Sequence, residues 1–168
     1  MITILTLLSL FTISSYIWVM VSREGIPSSV SATYYSLNHK FWFGFTMVAT
    51  AGLLMPAILE ITPDKYQFTA FLACAGMIIV GSAPNFREDW ERKIHTIGAV
   101  LTIGFSQIWV GCVCPWTLSI WSIYIILAMI FTEKNWNGNF IESFEKTNPL
   151  FWIECVALST TYLTVFIL

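Results

Sequence analysis

The chain has 168 residues, of which 57% are hydrophobic and 11% charged, with a formal net charge of -2 and a mean hydropathy of +0.73. Eight basic and ten acidic side chains cannot clothe a soluble domain of this length in polar surface, and they supply no basic field for nucleic acid. Lipid is therefore the expected solvent for much of the chain.

Six apolar runs are each long enough to cross a hydrocarbon core of roughly 30 Å as a helix. The first, residues 2–21, has no Lys or Arg before it and no small-residue cleavage pattern after it, so a retained span is expected rather than a signal peptide. The second, 41–60, contains Pro56, a place for a bend. The third and fourth, 67–83 and 95–112, carry small residues at helical spacing: Ala70, Ala73, Cys74 and Gly76, then Gly98, Ala99, Thr102 and Ser106. With Gly44, Ala51 and Gly52 of the second run, these are expected at helix contacts, because association in lipid relies on close backbone approach. The fifth and sixth runs are 115–132 and 150–168.

Positive charge sets the expected orientation. Arg23, Lys40, Arg87, Arg92, Lys93, Lys134 and Lys146 fall in alternate loops, and only Lys65 falls on the other side. The positive-inside rule then puts these loops in the cytoplasm and both termini outside. Tyr16, Trp18, Trp42, Trp90, Trp116, Trp136 and Trp152 lie mostly near span ends, as interfacial aromatics do, whereas Trp109 and Trp121 are deeper and expected between helices. The fold class expected is an all-α transmembrane bundle, with residues 1–168 forming one domain.

Chemistry must come from the scarce polar residues. His95, Gly98 or Ala99, Thr102 and Ser106 recur at three- and four-residue steps, with Gln107 beside them, so one face of the fourth span is small and polar. That face is either a cavity wall or ordinary interhelical hydrogen bonding. Around it the cytoplasmic loops place Ser28, Ser29, Ser31, Tyr34, Tyr35 and His39 after the first span, and Asn85, Arg87, Glu88, Asp89 and Glu91 before His95. The candidate pair is Asp89 with His95, a carboxylate orienting an imidazole in one pocket with Ser31 or Tyr34. Ser28, Ser31, Tyr34, Tyr35, Asn85, His95, Thr102 and Ser106 are the candidate ligand-binding residues. A solvated interfacial rim, with Asp and Glu placed by the helix macrodipole, explains the same charges without a site.

The stretch Ile26-Pro27-Ser28-Ser29-Val30-Ser31-Ala32-Thr33-Tyr34-Tyr35, leading into Phe41-Trp42-Phe43-Gly44, and the pair Ala83-Pro84-Asn85-Phe86 and Lys93-Ile94-His95-Thr96-Ile97-Gly98-Ala99 resemble marks of a group of bacterial six-helix membrane proteins of unknown function. That group is distantly similar to the DRAM and FGF-receptor-activating-protein families. The resemblance covers about residues 26 to 105 and implies six helices and a polar cytoplasmic or interfacial cluster; it implies no reaction, and the location expected for the chain is a bacterial inner membrane. Asn85 stands where Asp or Thr is expected in such proteins, which weakens an acid–base role there.

Residue supply excludes several membrane chemistries. A three-histidine zinc site needs one ligand more than His39 and His95 provide. A retinal Schiff base needs a lysine within a span, and Lys40, Lys65, Lys93, Lys134 and Lys146 are all in loops or at span ends. No metal or cofactor is expected, and bis-histidine haem is disfavoured. Cys112 and Cys114 are too close in sequence for an exchange motif and are expected as structural thiols or a passive disulfide. Glu154, about one turn into the sixth span, is either a helix-edge carboxylate reaching headgroups or part of a proton or cation path with Ser106 and Gln107. The expected function is non-catalytic: binding membrane lipid or a partner protein, or serving as a subunit or homo-oligomer in a membrane assembly. An intramembrane lipid-headgroup enzyme using His95 and Asp89 is the alternative, and an oligomeric channel or transporter the third.

Overall fold

A computed structural model describes residues 1–168, and it is all-α. Its helices are α1 (Ile2–Glu24), α2 (Phe41–Ile61), α3 (Asp64–Ser82), α4 (Asp89–Val113), α5 (Ser119–Lys134), α6 (Phe140–Glu145) and α7 (Pro149–Ile167), with 3-10 turns at Ser31–Tyr35 and Pro115–Leu118. Five helical stretches are long and apolar enough to cross a membrane: α1, α2, α4, α5 with its preceding 3-10 turn, and α7. The chain is thus of the multi-pass membrane type. At 19 residues, α3 has the length but less apolarity, because Asp64, Lys65 and Gln67 open it and Ala, Gly and Ser occupy much of the rest.

That composition has a packing reason. α3 lies between α2 and α4, and α3 against α4 is the most extensive helix pair in the molecule. A Cβ on Gly76 would sit 2.6 Å from the Thr102 backbone nitrogen and 2.7 Å from the Gly98 oxygen, and one on Gly98 would sit 2.9 Å from the Gly76 oxygen. Gly44 and Gly81 meet the same way between α2 and α3. The expected small-residue contacts are present at Gly44, Gly76 and Gly98, but Gly52 faces open space.

The outside and inside are inverted relative to a soluble fold. Phe11, Trp18, Phe68, Ile97, Val100, Ile123, Ile126 and Ile167 are exposed, while Thr6, Ser9, Thr50, Thr62, Ser106, Thr117, Thr132, Thr160, Thr161 and Thr164 are buried. Most of these hydroxyls donate to their own helix's carbonyls, as Thr161 does to Ala157 at 2.7 Å, so burial leaves few polar atoms without a partner. Between helices, the Ser9 hydroxyl donates to the Thr50 oxygen at 2.7 Å and meets the Tyr162 hydroxyl at 2.5 Å, tying α1, α2 and α7 together. Trp109, fully buried as its depth suggested, donates from Nε1 to Thr62 Oγ1 at 2.8 Å.

Helices α1 to α4 pack as sequential neighbours, and α7 closes the ring against α4 and, more sparsely, α1. α5 stands to one side on α6, α7 and the Pro115–Leu118 turn. Two boundaries differ from the sequence expectation. α4 begins at Asp89, six residues before the expected 95, because Asp89 and Glu91 favour the positive end of the helix dipole. The loop before α7 holds α6, started by the Asn139 side chain accepting from the Ile141 N–H at 3.0 Å. Pro56 is accommodated within an unbroken α2.

Candidate functional site

The loop after α1 is a plug. Gly25 takes φ 78, a conformation that L side chains avoid, and ends α1. The following segment runs back over the bundle, burying Ser29, Val30, Ser31, Thr33 and Tyr34. Three ties hold it: the Tyr16 hydroxyl meets Thr33 Oγ1 at 2.5 Å, Asn148 Nδ2 donates to the Ile26 oxygen at 3.3 Å, and the Val30 N–H donates to Glu154 Oε2 at 2.5 Å. Tyr34 packs edge-on to Phe43, with the Lys40 ammonium 4.9 Å above its ring. Burial first, then Glu91, Tyr35 and Glu88 nearby, hold the Tyr34 phenol above its usual value; the ring under Lys40 is neutral at neutral pH with or without that shift.

Beneath the plug lies an interior cavity of about 80 Å³, room for on the order of five water molecules. Of its 19 lining residues 14 are hydrophobic, including Ile13, Leu54, Met77, Ile103 and Leu158; the polar ones are Ser31, Thr102, Ser106, Thr161 and Glu154. Glu154 is largely enclosed, and the Ser31 hydroxyl faces its carboxylate beside the Val30 N–H. An outer groove between α1 and α7, with Leu10, Ile17, Trp18 and Trp152, shares Ile13 and Leu158 with the cavity wall. Those two side chains are all the lining that both spaces have in common.

The candidate residues named from sequence separate into groups. Ser31, Thr102 and Ser106 line the cavity. Tyr34 instead borders a groove outside α2 and α3 with Lys40 and Phe45. Tyr35 and Asn85 meet each other, the Tyr35 hydroxyl donating to Asn85 Oδ1 at 3.4 Å and accepting from the Arg87 N–H at 2.9 Å under a guanidinium 4.1 Å from the ring. Ser28 and His39 are exposed.

The Asp89–His95 pair is corrected. His95 is buried, but its Nδ1 bonds the Ala83 oxygen at 2.9 Å and its ring lies 5.0 Å from that of Phe86; it does not line the cavity. Asp89 is exposed and pairs with Arg92 one turn on. The reason is the helix start: with both residues inside α4, six positions rotate them about 240° apart, onto different faces. The carboxylate that serves the loop is Glu91, whose Oε2 accepts from the Asn85 N–H at 2.9 Å.

Gln107 is committed to structure. Its Oε1 accepts from Trp121 Nε1 at 2.8 Å and Thr160 Oγ1 at 2.9 Å, and its Nε2 donates to the Ala157 oxygen at 3.2 Å, joining α4, α5 and α7. Nε2 also donates to Ser106 Oγ at 3.0 Å, so Gln107 is joined to the cavity wall through Ser106. The four thiols are unpaired, Cys112 exposed and Cys114 buried. Glu154 is the residue whose importance the sequence left open, and its signal was a carboxylate inside an apolar run.

No known protein family, characterised protein or solved structure matches the chain.

Proposed function

We propose that this chain is a six-span membrane protein that binds a lipid-like ligand within its helix bundle. The observation that carries the reading is the interior cavity, with 14 hydrophobic residues among 19 and a polar patch at the plugged end. A predominantly apolar lining with a few convergent polar groups is the usual composition of a small-molecule site; at about 80 Å³ the cavity holds one end of such a ligand, and the adjoining α1–α7 groove takes the rest. The α1–α7 groove supports entry from the side, since only Ile13 and Leu158 line both spaces. Binding here is non-catalytic: no general acid–base pair borders the cavity, Asp89 being paired with Arg92 outside it.

The test is native mass spectrometry of the protein released from membranes in mild detergent. The expected result is the 19.1 kDa chain carrying a lipid-sized adduct that Ala99→Leu, which places bulk in the cavity wall, reduces by more than half at unchanged helical content. A bare chain in both proteins overturns the reading. The same spectra address a second reading, a subunit of a larger assembly, which the peripheral position of α5 favours; a multiple of the chain mass in place of the monomer supports it.

In the proposed topology α3 is the sixth span, flanked by α2 and α4 with Phe68 and Phe71 left exposed to lipid, and the plugged end faces the cytoplasm. Bonds among the Ile26–Lys40, Ala83–Glu88 and Asn135–Asn148 loops support gathering them on one side, with seven of the eight basic residues in or beside them. In intact cells a membrane-impermeant maleimide is expected to label native Cys112 but not a cysteine introduced as Asn137→Cys in a chain lacking Cys112. The reverse pattern sinks this orientation.

A further inference from the structure

Glu154 is the one acidic or basic side chain lining the cavity. No cation accompanies it, the only ion pair in the molecule being Arg92 with Asp89 at the surface. Neutral dipoles serve it instead: the Val30 N–H on Oε2 and the Ser31 hydroxyl alongside. The carboxylate is thus fixed in direction by the plug and set against a space otherwise walled by Ile13, Leu54, Met77, Ile103 and Leu158. An enclosed carboxylate away from bulk water is strongly favoured by an opposite charge, and more so where the surroundings are apolar.

We propose that the cavity takes the head of a lipophilic amine, its ammonium group paired with Glu154 and its hydrocarbon body passing Ile13 and Leu158 into the α1–α7 groove. This rests on the lipid-binding reading and names the chemical class of the ligand. Three features favour an amine over other amphiphiles. A charge-assisted N–H to carboxylate bond is roughly twice as strong as a neutral one. A fatty acid or phosphate headgroup brings a second negative charge to a cavity with no basic side chain. An alcohol supplies a single donor and leaves the carboxylate's charge uncompensated. Thr102, Ser106 and Thr161, the remaining polar lining, add neutral contacts and no charge.

The experiment uses the full chain in vesicles of zwitterionic phosphatidylcholine and three photoreactive probes of equal length: a dodecylamine, a dodecanol and a dodecanoic acid, each with a mid-chain diazirine. Labelled peptides are mapped by mass spectrometry over a concentration series. The amine is expected to label the peptides bearing Ile13 and Leu158 at a half-saturating concentration at least tenfold below that of the alcohol, with the acid weakest. Glu154→Gln, which keeps an oxygen for the Val30 N–H, is expected to bring amine and alcohol within twofold. If the amine and alcohol saturate alike on the wild-type protein, the amine assignment fails while the cavity reading stands; if no probe labels those peptides, both fail. A tenfold amine preference surviving in folded Glu154→Gln also overturns the assignment. The three-probe comparison on the wild-type chain decides the matter even where the variant does not fold.

Discussion

Gly76→Ala is expected to destabilise the bundle by about 1–2 kcal/mol net, although alanine is the better helix former. The propensity gain for replacing a helical glycine is at most about 1 kcal/mol. Against it stands a methyl carbon 2.6 Å from the Thr102 nitrogen and 2.7 Å from the Gly98 oxygen, both backbone atoms of α4. A side chain could rotate away, but backbone cannot, so α3 and α4 must separate along their most extensive contact; overpacking of this kind costs roughly 1–3 kcal/mol, sometimes more. The clash decides the sign. Gly52→Ala is the internal comparison: nothing lies within 4 Å of its added carbon, so it should keep the propensity gain of up to about 1 kcal/mol. Reversible unfolding in mixed detergent measures both. Equal stability of the two variants would show that α3 and α4 are not in close backbone contact.

The second large effect is expected at Gln107→Leu, a change of similar volume that removes the amide joining three helices. It leaves Trp121 Nε1 without its acceptor and releases Nε2 from the Ala157 oxygen, while Thr160 retains bonds to the Val156 and Ala157 oxygens. Hydrogen bonds between membrane helices average about 0.6 kcal/mol and reach about 1.7 kcal/mol, so losing two of them with one donor stranded should cost on the order of 1–2 kcal/mol. The discriminating quantity is the coupling with Trp121→Phe in a double-mutant cycle. A coupling of about 0.6–1.7 kcal/mol is expected, and a value near zero would mean that the indole does not reach the amide. Because α5 leans on α7, α6 and a turn rather than on α1, α2 or α3, the loss should appear first as increased protease access to the 135–148 loop.

Apolarity made the membrane class and the approximate helix positions legible, since five of the six runs coincide with helices of spanning length and apolarity. The small-residue spacing likewise pointed to Gly44, Gly76 and Gly98 as contact points. What was not legible depended on where α4 starts. Hydropathy marks the edge of hydrocarbon, not of helix, and α4 continues a turn and a half past the apolar run to Asp89. That extension turns Asp89 away from His95 and gives it to Arg92. The sequence grouped residues 28–35 with Asp89 and His95 in one polar cluster, but not with Glu154, because Val30 and Glu154 are 124 residues apart and no local periodicity joins them. For Gln107 the sequence left a cavity wall and interhelical hydrogen bonding open; the second holds, but its partners Trp121 and Thr160 lie on helices whose rotation a single sequence does not reveal.

The Val30–Glu154 bond also has a consequence for synthesis. Helices α1 to α4 pair with their neighbours in order, so each can dock as it leaves the ribosome and enters the bilayer. The plug is made early, but the carboxylate that receives its Val30 N–H is on α7, which follows the other long helices. Until α7 arrives, the 26–35 segment has no anchor on that side, and the cavity is a trench open to the acyl chains. Closing the trench waits for α7, and on the proposed lipid-binding reading the interior fills from the membrane in which the chain is made.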